Sequence, residues 1–152
     1  MRELRPTSNK VRQALFNILY DVSDTNFLDL FAGTGEIGLT ALKKGAKHVT
    51  FVEAEKKRCQ DIRKKVSKFS KNFDVYCGDA LKFLKIYKKE PFDIIFADPP
   101  YDFKNYQKLI QLALKNLKEG GIFILEHRSD KSFDADEERK YGDTILSFWR
   151  KE

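Results

Sequence analysis

Apolar residues recur along the chain at two spacings, one helical and one typical of buried strands. Those from Val11 to Leu19 share one helical face, which predicts an opening helix over about residues 8–20 with Thr7 or Ser8 as its N-cap. Similar patterns predict helices over about residues 36–45, 56–71, 81–87 and 106–120. Short apolar runs predict strands at about residues 27–31, 48–53, 73–77, 92–97 and 122–126, and two more that flank Gly142.

The alternation of strands and helices predicts an α/β fold. Parallel strands need crossover helices, and these crossovers place helices on both faces of the sheet. The last two strands break the alternation, which predicts a seven-stranded, mostly parallel sheet with an antiparallel C-terminal hairpin. That order of elements is typical of the Rossmann-like class I methyltransferases, whereas a dinucleotide dehydrogenase normally continues with a second βαβ half.

The composition fits one domain over residues 1–152. With 41% hydrophobic residues the chain can bury a core, and its net charge of +6 favours a polyanionic partner. Cys59 and Cys77 lack metal-site spacing, so neither a metal nor a disulfide framework is expected. The absence of a long apolar run or a signal-peptide core predicts a soluble, cytoplasmic protein with no membrane partner, and a monomer is expected.

A glycine-rich turn follows the first predicted strand. The segment from Asp29 to Gly38 is a strand that runs into a literal GxGxxG and then opens a helix. Glycines let the backbone approach a ligand closely, although the same turn serves NAD, FAD and S-adenosylmethionine, and it can exist for its geometry alone. The candidate cofactor-binding residues of this segment are Asp29, Phe31, Ala32, Gly33, Thr34 and Gly35.

Two carboxylates follow the second and third strands. Glu53 ends its strand where a carboxylate can accept both ribose hydroxyls of an adenosine-containing cofactor, the alternative being a solvated glutamate. Asp79 can accept a hydrogen bond from an adenine amino group or cap the next helix, and the two roles are compatible. The predicted cofactor site therefore also includes Glu53, Ala54, Asp79 and Ala80.

The most specific motif is the tetrapeptide Asp98, Pro99, Pro100 and Tyr101, directly after the fourth strand. An exocyclic amine of adenine or guanine is a poor nucleophile because its lone pair is delocalised into the ring. A carboxylate and a carbonyl that accept its two N–H bonds make the nitrogen pyramidal, so that the lone pair can face a methyl donor. Asp98 and the Pro99 carbonyl suit these roles, and Asp98 also borders the cofactor. The two prolines restrict the loop to an extended shape.

The predicted nucleic-acid contacts are an aromatic ring and several cations. A base that swings out of its stack can pack on Tyr101, which recovers about 1–3 kcal/mol. The basic residues predicted to contact RNA are Arg2, Arg5, Lys10 and Arg12. The Lys-rich helix at residues 56–71 is predicted to present a solvated face instead. The reaction needs no metal because a sulfonium already activates the methyl group. His48 and His127 are predicted to be ordinary surface or strand-end residues.

Three segments of the chain resemble a known family. They are Arg5 to Asn17, Leu28 to Gly38, and Phe96 to Tyr101. Together with Glu53 and residues 78–80, they make nearly the whole chain similar to the RsmD-type bacterial methyltransferases, which modify guanine N2 in small-subunit (16S) ribosomal RNA. The glycine loop and the tetrapeptide are shared with other amino-methyltransferases, whereas the Arg-Pro-Thr opening is more particular to this family.

The resemblance implies S-adenosyl-L-methionine as cofactor, and ribosomal RNA, the small ribosomal subunit or an assembly intermediate as partner. It implies a cofactor site lined by Gly33, Gly35, Glu53 and Asp79. It also implies a guanine site formed by Asp98, Pro99 and Tyr101. Family members usually carry a basic, glycine-containing strand before the Arg-Pro-Thr motif, and only four residues precede Arg5 here. Fewer phosphate contacts are therefore expected, with the cofactor pocket retained.

Four alternatives explain less of the sequence. An adenine-N6 methyltransferase on RNA or DNA uses the same tetrapeptide, but a DNA enzyme usually carries an added target-recognition region. A protein-glutamine methyltransferase would be expected to have Asn in place of Asp98. A dehydrogenase leaves the tetrapeptide unexplained, and a non-catalytic RNA-binding or assembly factor would be expected to have an eroded motif.

Overall fold

The computed structural model describes residues 8–152, so the predicted contacts Arg2 and Arg5 and the alternative cap Thr7 lie outside the described residues. The helices of the described part are α1 (Asn9–Leu19), α2 (Glu36–Lys43), α3 (Lys56–Ser67), α4 (Ala80–Ile86) and α5 (Tyr106–Lys115). The strands are β1 (Asn26–Leu30), β2 (His48–Glu53), β3 (Phe73–Cys77), β4 (Phe92–Ala97), β5 (Leu117–Arg128), β6 (Glu137–Tyr141) and β7 (Thr144–Arg150).

The strands form one sheet in the order β3-β2-β1-β4-β5-β7-β6. The first five strands are parallel, and β7 lies antiparallel between β5 and β6. The predicted mostly parallel sheet with an antiparallel C-terminal hairpin is confirmed. The chain order reverses between β1 and β4, and a switch of this kind opens a crevice at the carboxyl ends of the strands.

Apolar residues cover both faces of the sheet. One cluster packs α1, α2 and α3 against one face and includes the fully buried rings of Phe27 and Phe51. The other packs α4 and α5 against the opposite face and includes Phe92 and Phe123. Burial of an aromatic side chain of this size contributes about 1.5–3 kcal/mol, so the two clusters hold the strand ends in a fixed arrangement. None of the helices within residues 8–152 is long and apolar enough to cross a membrane.

The ends of the first two helices follow the predicted signals. The Ser8 hydroxyl accepts a hydrogen bond from the Val11 N–H at 3.2 Å, which makes Ser8 the N-cap of α1. After α2, Gly45 has φ +99°, a conformation that glycine adopts at little cost. The chain then turns directly into β2.

The predicted boundary between the fifth helix and the fifth strand was wrong. The helix ends at Lys115 instead of near Gly120, because the Asn116 side chain donates to the Leu112 carbonyl at 2.9 Å and caps the last turn. The strand begins at Leu117, which pairs with β4, and Gly120 lies within it. The Gly120 N–H donates to the Lys151 carbonyl at 2.7 Å, so this glycine serves the sheet and not the helix end.

His127 lies near the end of β5, as predicted, but it is not on the surface. Its side chain is only 5% exposed because β5 is an interior strand, and Nε2 lies 2.7 Å from the Ser147 hydroxyl on β7. Burial lowers the pKa of His127. His48 begins β2 and lies 3.1 Å from Asp74 on β3, in agreement with a strand-end residue.

Candidate active site at the carboxyl edge of the sheet

The register of the parallel strands brings the predicted loops together. Leu30 is aligned with Val52 on one side and with Ala97 on the other, and Ala97 is aligned with Leu125. The next residues along the four strands are Glu53, Phe31, Asp98 and Glu126. Because neighbouring strands lie about 4.8 Å apart, these four residues form one row across the sheet edge. The glycine loop and the tetrapeptide therefore start side by side.

Glu126 is the member of this row that sequence reasoning missed. It is buried, and it lies one strand beyond Asp98. The signal was present in the sequence, since Glu126 ends the apolar run Ile122 to Leu125 in the way that Glu53 ends the second strand. A carboxylate directly after an apolar run of a strand was the sequence pattern that would have identified Glu126.

The glycine loop is held by backbone bonds to β2. Gly33 and Gly35 have φ of +61° and +81°, which suit glycine. The Ala32 N–H donates to the Val52 carbonyl at 3.0 Å. A Cβ at Gly38 would lie 2.3 Å from Cε2 of Phe51, so the third glycine of the motif lets α2 pack directly on the sheet.

Phe31 adopts a backbone conformation that side chains rarely tolerate. Its φ is +58°, and a non-glycine residue in this region carries about 1–3 kcal/mol of strain. Its ring packs edge-to-face against Phe103, with centroids 5.3 Å apart. Since Phe103 follows the tetrapeptide, this contact joins the glycine loop to the second loop of the site.

Glu53 fixes the start of the glycine loop and keeps capacity for a ligand. The side chain is 2% exposed, and its two oxygens accept the N–H groups of Gly33 at 2.8 Å and Glu55 at 2.9 Å. Arg58 lies 3.8 Å from Oε2. A carboxylate offers about four acceptor positions, so some remain besides those that the two backbone donors occupy. The solvated-glutamate alternative is wrong, because this carboxylate is buried.

Asp29 is a buried carboxylate directly beneath the loop. It is 1% exposed, and Oδ2 accepts the Gly38 N–H at 3.0 Å, which pins the first turn of α2. Burial raises its pKa well above the usual value of 3.8, and the negative charges of Asp98 and Glu53 raise it further. Asp98 and Glu53 thus place two carboxylates at the same sheet edge, and such groups would suit a cationic ligand.

The raised pKa of Asp29 predicts a pH-dependent loss of stability. Above the unfolded value of 3.8 the unfolded chain gives up this proton while the folded chain keeps it, so the free energy of unfolding falls as pH rises toward the folded pKa. In Asp29→Asn this dependence should be missing, since the amide oxygen still accepts the Gly38 N–H. Urea unfolding from about pH 4 upward should show a growing stability advantage of the variant. A difference that stays constant with pH would contradict the assignment.

Asp79 performs the capping role that the sequence allowed. Its Oδ2 accepts the Lys82 N–H at 2.9 Å at the start of α4, where Ala80 is buried and lies in the first turn. The preceding Gly78 N–H donates to the Glu53 carbonyl at 2.9 Å. Asp79 thus lies next to Glu53 at the same sheet edge, where its second oxygen leaves the adenine role open. Ala54 is exposed beside it.

The tetrapeptide forms a short ordered loop after β4. Asp98 is partly buried and Pro99 is buried, whereas Tyr101 is 76% exposed. The Phe103 N–H donates to the Pro100 carbonyl at 2.9 Å, which closes a turn around Tyr101. The loop therefore exposes the ring of Tyr101 three residues after Asp98.

An aromatic wall stands behind this loop. Tyr106 packs against Phe103 and Phe133 with centroids 5.0 Å apart in each case, and Phe133 packs edge-to-face on His127 at 4.9 Å. Burial raises the pKa of Tyr106, and the nearby charge of Asp98 adds to the effect. The wall gives the site an apolar side next to its carboxylates. Sequence reasoning missed it because Phe133 comes from a polar connection 32 residues after the tetrapeptide.

The basic side chains are distributed differently from the prediction. Lys65 of α3 donates to the Thr34 carbonyl at 2.7 Å and to Glu36 at 3.1 Å, so the Lys-rich helix is not solvated throughout. Arg12 lies 3.4 Å from the other oxygen of Glu36. Lys10 is exposed near the start of α1. Glu36 therefore links α1 and α3 directly beside the glycine loop.

The described part of the chain shows no prepared metal site. Within residues 8–152, no group of three or more His, Cys, Asp or Glu side chains is placed to hold a metal ion. Cys59 is buried and Cys77 is exposed. The Cys59 thiol donates to the Glu53 carbonyl at 3.1 Å, and burial raises its pKa to about 12. This thiol therefore supports the backbone of the site.

The chain is similar to known proteins over most of its length. The model of a family described as Conserved hypothetical protein 95 matches residues 1–150. Ribosomal RNA small subunit methyltransferase D of Haemophilus influenzae is 36% identical over 135 residues, which cover 84% of this chain and 70% of that protein. The solved structure of a hypothetical protein from Thermus thermophilus is 26% identical, with a TM-score of 0.85, and the match covers 99% of this chain and 92% of that chain. An RNA methyltransferase from Salinibacter ruber, solved in complex with S-adenosyl-L-homocysteine, shares the fold at 16% identity, with a TM-score of 0.77 and coverage of 95% and 92%.

Proposed function

We propose, from the premise that this chain belongs to the family of ribosomal RNA small subunit methyltransferase D, that it methylates the exocyclic N2 amine of a guanine in small-subunit ribosomal RNA. The cofactor is S-adenosyl-L-methionine. The reaction takes place in the cytoplasm, on the small subunit or an assembly intermediate, and the enzyme acts as a monomer. The observation that carries the proposal is the row of Glu53, Phe31 and Asp98 at one sheet edge.

The cofactor site is assigned to the glycine loop and its neighbours. Bound S-adenosyl-L-methionine supplies a methyl group that its sulfonium activates for transfer. Glu53 would accept the ribose hydroxyls at the positions that Gly33 and Glu55 leave open, and Asp79 would accept the adenine amine. The backbone from Phe31 to Gly35 would line the cofactor site, and Asp29 fixes the first turn of α2 through the Gly38 N–H. The residues assigned to this site are Asp29, Phe31, Ala32, Gly33, Thr34, Gly35, Glu53, Ala54, Asp79, Ala80 and Asp98.

The target site is assigned to the tetrapeptide. Asp98 accepts one N–H of the guanine amine and the Pro99 carbonyl accepts the other, which directs the nitrogen lone pair toward the cofactor loop. Tyr101 stacks on the base, as its exposed ring allows. Pro100 keeps the loop rigid. Methyl transfer would form the N–C bond and break the methyl–sulfur bond, leaving a neutral thioether, and Asp98 is placed to take the proton that the amine loses.

Product analysis tests the proposal. Small ribosomal subunits that lack the modification, incubated with the full chain and S-adenosyl-L-methionine labelled in its methyl group, should yield labelled N2-methylguanosine after digestion to nucleosides. Labelled N6-methyladenosine instead would overturn the choice of base while keeping amine methylation. An absence of label in RNA, with binding of NADH, would favour a dehydrogenase.

A further inference from the structure

A polar groove lies between α1 and α2, outside the site described above. Its volume is about 430 Å³, and its residues come from both helices. They are Arg12, Gln13, Phe16, Asn17, Thr40 and Lys44. The residues on α1 and those on α2 are each spaced four apart, so each helix contributes one face to the groove.

The lining has the chemistry of an anion site. Among the described residues that line the groove, two carry positive charge, three offer amide or hydroxyl hydrogen bonds, and none is a carboxylate. The sixth is Phe16, and the Lys44 ammonium lies 5.8 Å from the centroid of its ring. Cations, neutral donors and one aromatic edge are the combination with which proteins hold a nucleic-acid backbone.

The groove leads to the proposed active site. Its upper end is at Arg12, which lies 3.4 Å from Glu36, the residue that begins α2 directly after the glycine loop. Its lower end is at Lys44, the C-cap of α2. The lining covers Thr40 to Lys44 on α2 and Arg12 to Asn17 on α1, a helical rise of about 6–8 Å, which is long enough for two neighbouring phosphates of one strand. A strand seated here would therefore continue toward the sheet edge where the base is held.

We infer that this groove binds the phosphate backbone of the RNA substrate, with Lys44 and Arg12 as its phosphate contacts. The inference rests on the proposed function, since it names where the same substrate docks beyond the target base. Arg12 was expected to contact RNA from the sequence, whereas Lys44, Gln13, Asn17 and Thr40 were not. Lys44 tests the groove most cleanly because it lies farthest from the cofactor loop.

The test is the salt dependence of RNA binding by Lys44→Gln. The dissociation constant of the full chain for a small-subunit rRNA transcript is measured over a series of KCl concentrations. Loss of one phosphate contact lowers the slope of log K against log salt by about 0.7–0.9, and at 0.1 M salt it weakens binding about fivefold. Lys64→Gln, the same charge change at an exposed position of α3, should keep the wild-type slope.

Two further measurements separate the outcomes. An unchanged slope for Lys44→Gln on naked RNA overturns the inference, and a defect seen only on assembled subunits overturns it in favour of a protein partner. S-adenosyl-L-methionine affinity should match that of wild type, because Lys44 lies at the end of α2 that is farther from the glycine loop. The unfolding midpoint should stay close to that of wild type, because Lys44 is exposed and its one contact with the core is the face of Phe16. If Lys44→Gln lowers the slope of log K against log salt but the wild-type chain transfers no methyl group to RNA, the inference about the groove is supported and the proposed reaction is wrong.

Discussion

Asp98→Ala is expected to lower the rate of methyl transfer about 10²–10³-fold while leaving the affinity for S-adenosyl-L-methionine nearly unchanged. The carboxylate follows Ala97 at the end of β4, beside Phe31 of the glycine loop, and it is the group placed to draw the amine lone pair out of conjugation. Without it the amine stays planar. Asp98 only borders the cofactor site, and the hydrogen bonds assigned to Glu53, Asp79 and the loop backbone remain, so the cofactor affinity should change little. Single-turnover transfer and calorimetric binding of S-adenosyl-L-homocysteine measure the two quantities separately.

Two variants make this result interpretable. Asp102→Ala removes the same charge from an exposed position four residues later and should transfer at the wild-type rate. Asp98→Asn keeps the size and one acceptor oxygen, so its loss should be smaller than that of alanine. Equal loss of transfer and of cofactor affinity in Asp98→Ala would show that Asp98 acts mainly by supporting the cofactor loop. The assigned division between the two loops would then be wrong.

Much of the fold could be predicted from local patterns in the sequence. The junction of α5 and β5 could not, because it depends on contacts between distant parts of the chain. Short apolar runs separated by amphipathic helices predicted the sheet, and the bounds of Phe73–Cys77 and Phe92–Ala97 were predicted without error. The junction of α5 and β5 failed because Gly120 has the usual form of a helix end. In the structure its N–H bonds to Lys151, a contact across 31 residues that no local pattern contains.

The candidate site divides in a similar way. Residues that belong to a recognisable motif, such as Asp98 in the tetrapeptide and Gly35 in the glycine-rich turn, were found from the sequence. Their neighbours in the chain indicate both the backbone conformation and the chemical role. The aromatic wall was not found, because Tyr106 lies on α5 and Phe133 in the connection between β5 and β6, and the two rings meet only in the folded chain. Lys65 was misassigned for a related reason. Five other cations lie on the same helix, and only the packing of α3 shows that Lys65 reaches Thr34.

Glu53→Ala is expected to weaken binding of S-adenosyl-L-methionine by about 1–3 kcal/mol, through the loss of ribose hydrogen bonds. The structure adds a second effect. The Gly33 and Glu55 N–H groups lose their acceptor, and Arg58, only 14% exposed, loses a carboxylate 3.8 Å away. Removal of one partner from a buried charged pair costs about 3–5 kcal/mol of unfolding free energy. Calorimetry and urea unfolding should therefore both report a loss.

The matched variants separate cofactor binding from loop support. Glu55→Ala removes the same charge two residues later but keeps its backbone N–H on Glu53, so both quantities should stay near wild type. Glu53→Gln keeps the shape of the side chain. Both carboxylate oxygens accept a backbone N–H, so the amide NH2 group that replaces one oxygen would face an N–H donor and could not accept from it. Its stability should fall even though its volume is unchanged. Unaltered cofactor affinity in a folded Glu53→Ala protein would remove Glu53 from the ribose site and leave it as a structural clamp of the glycine loop.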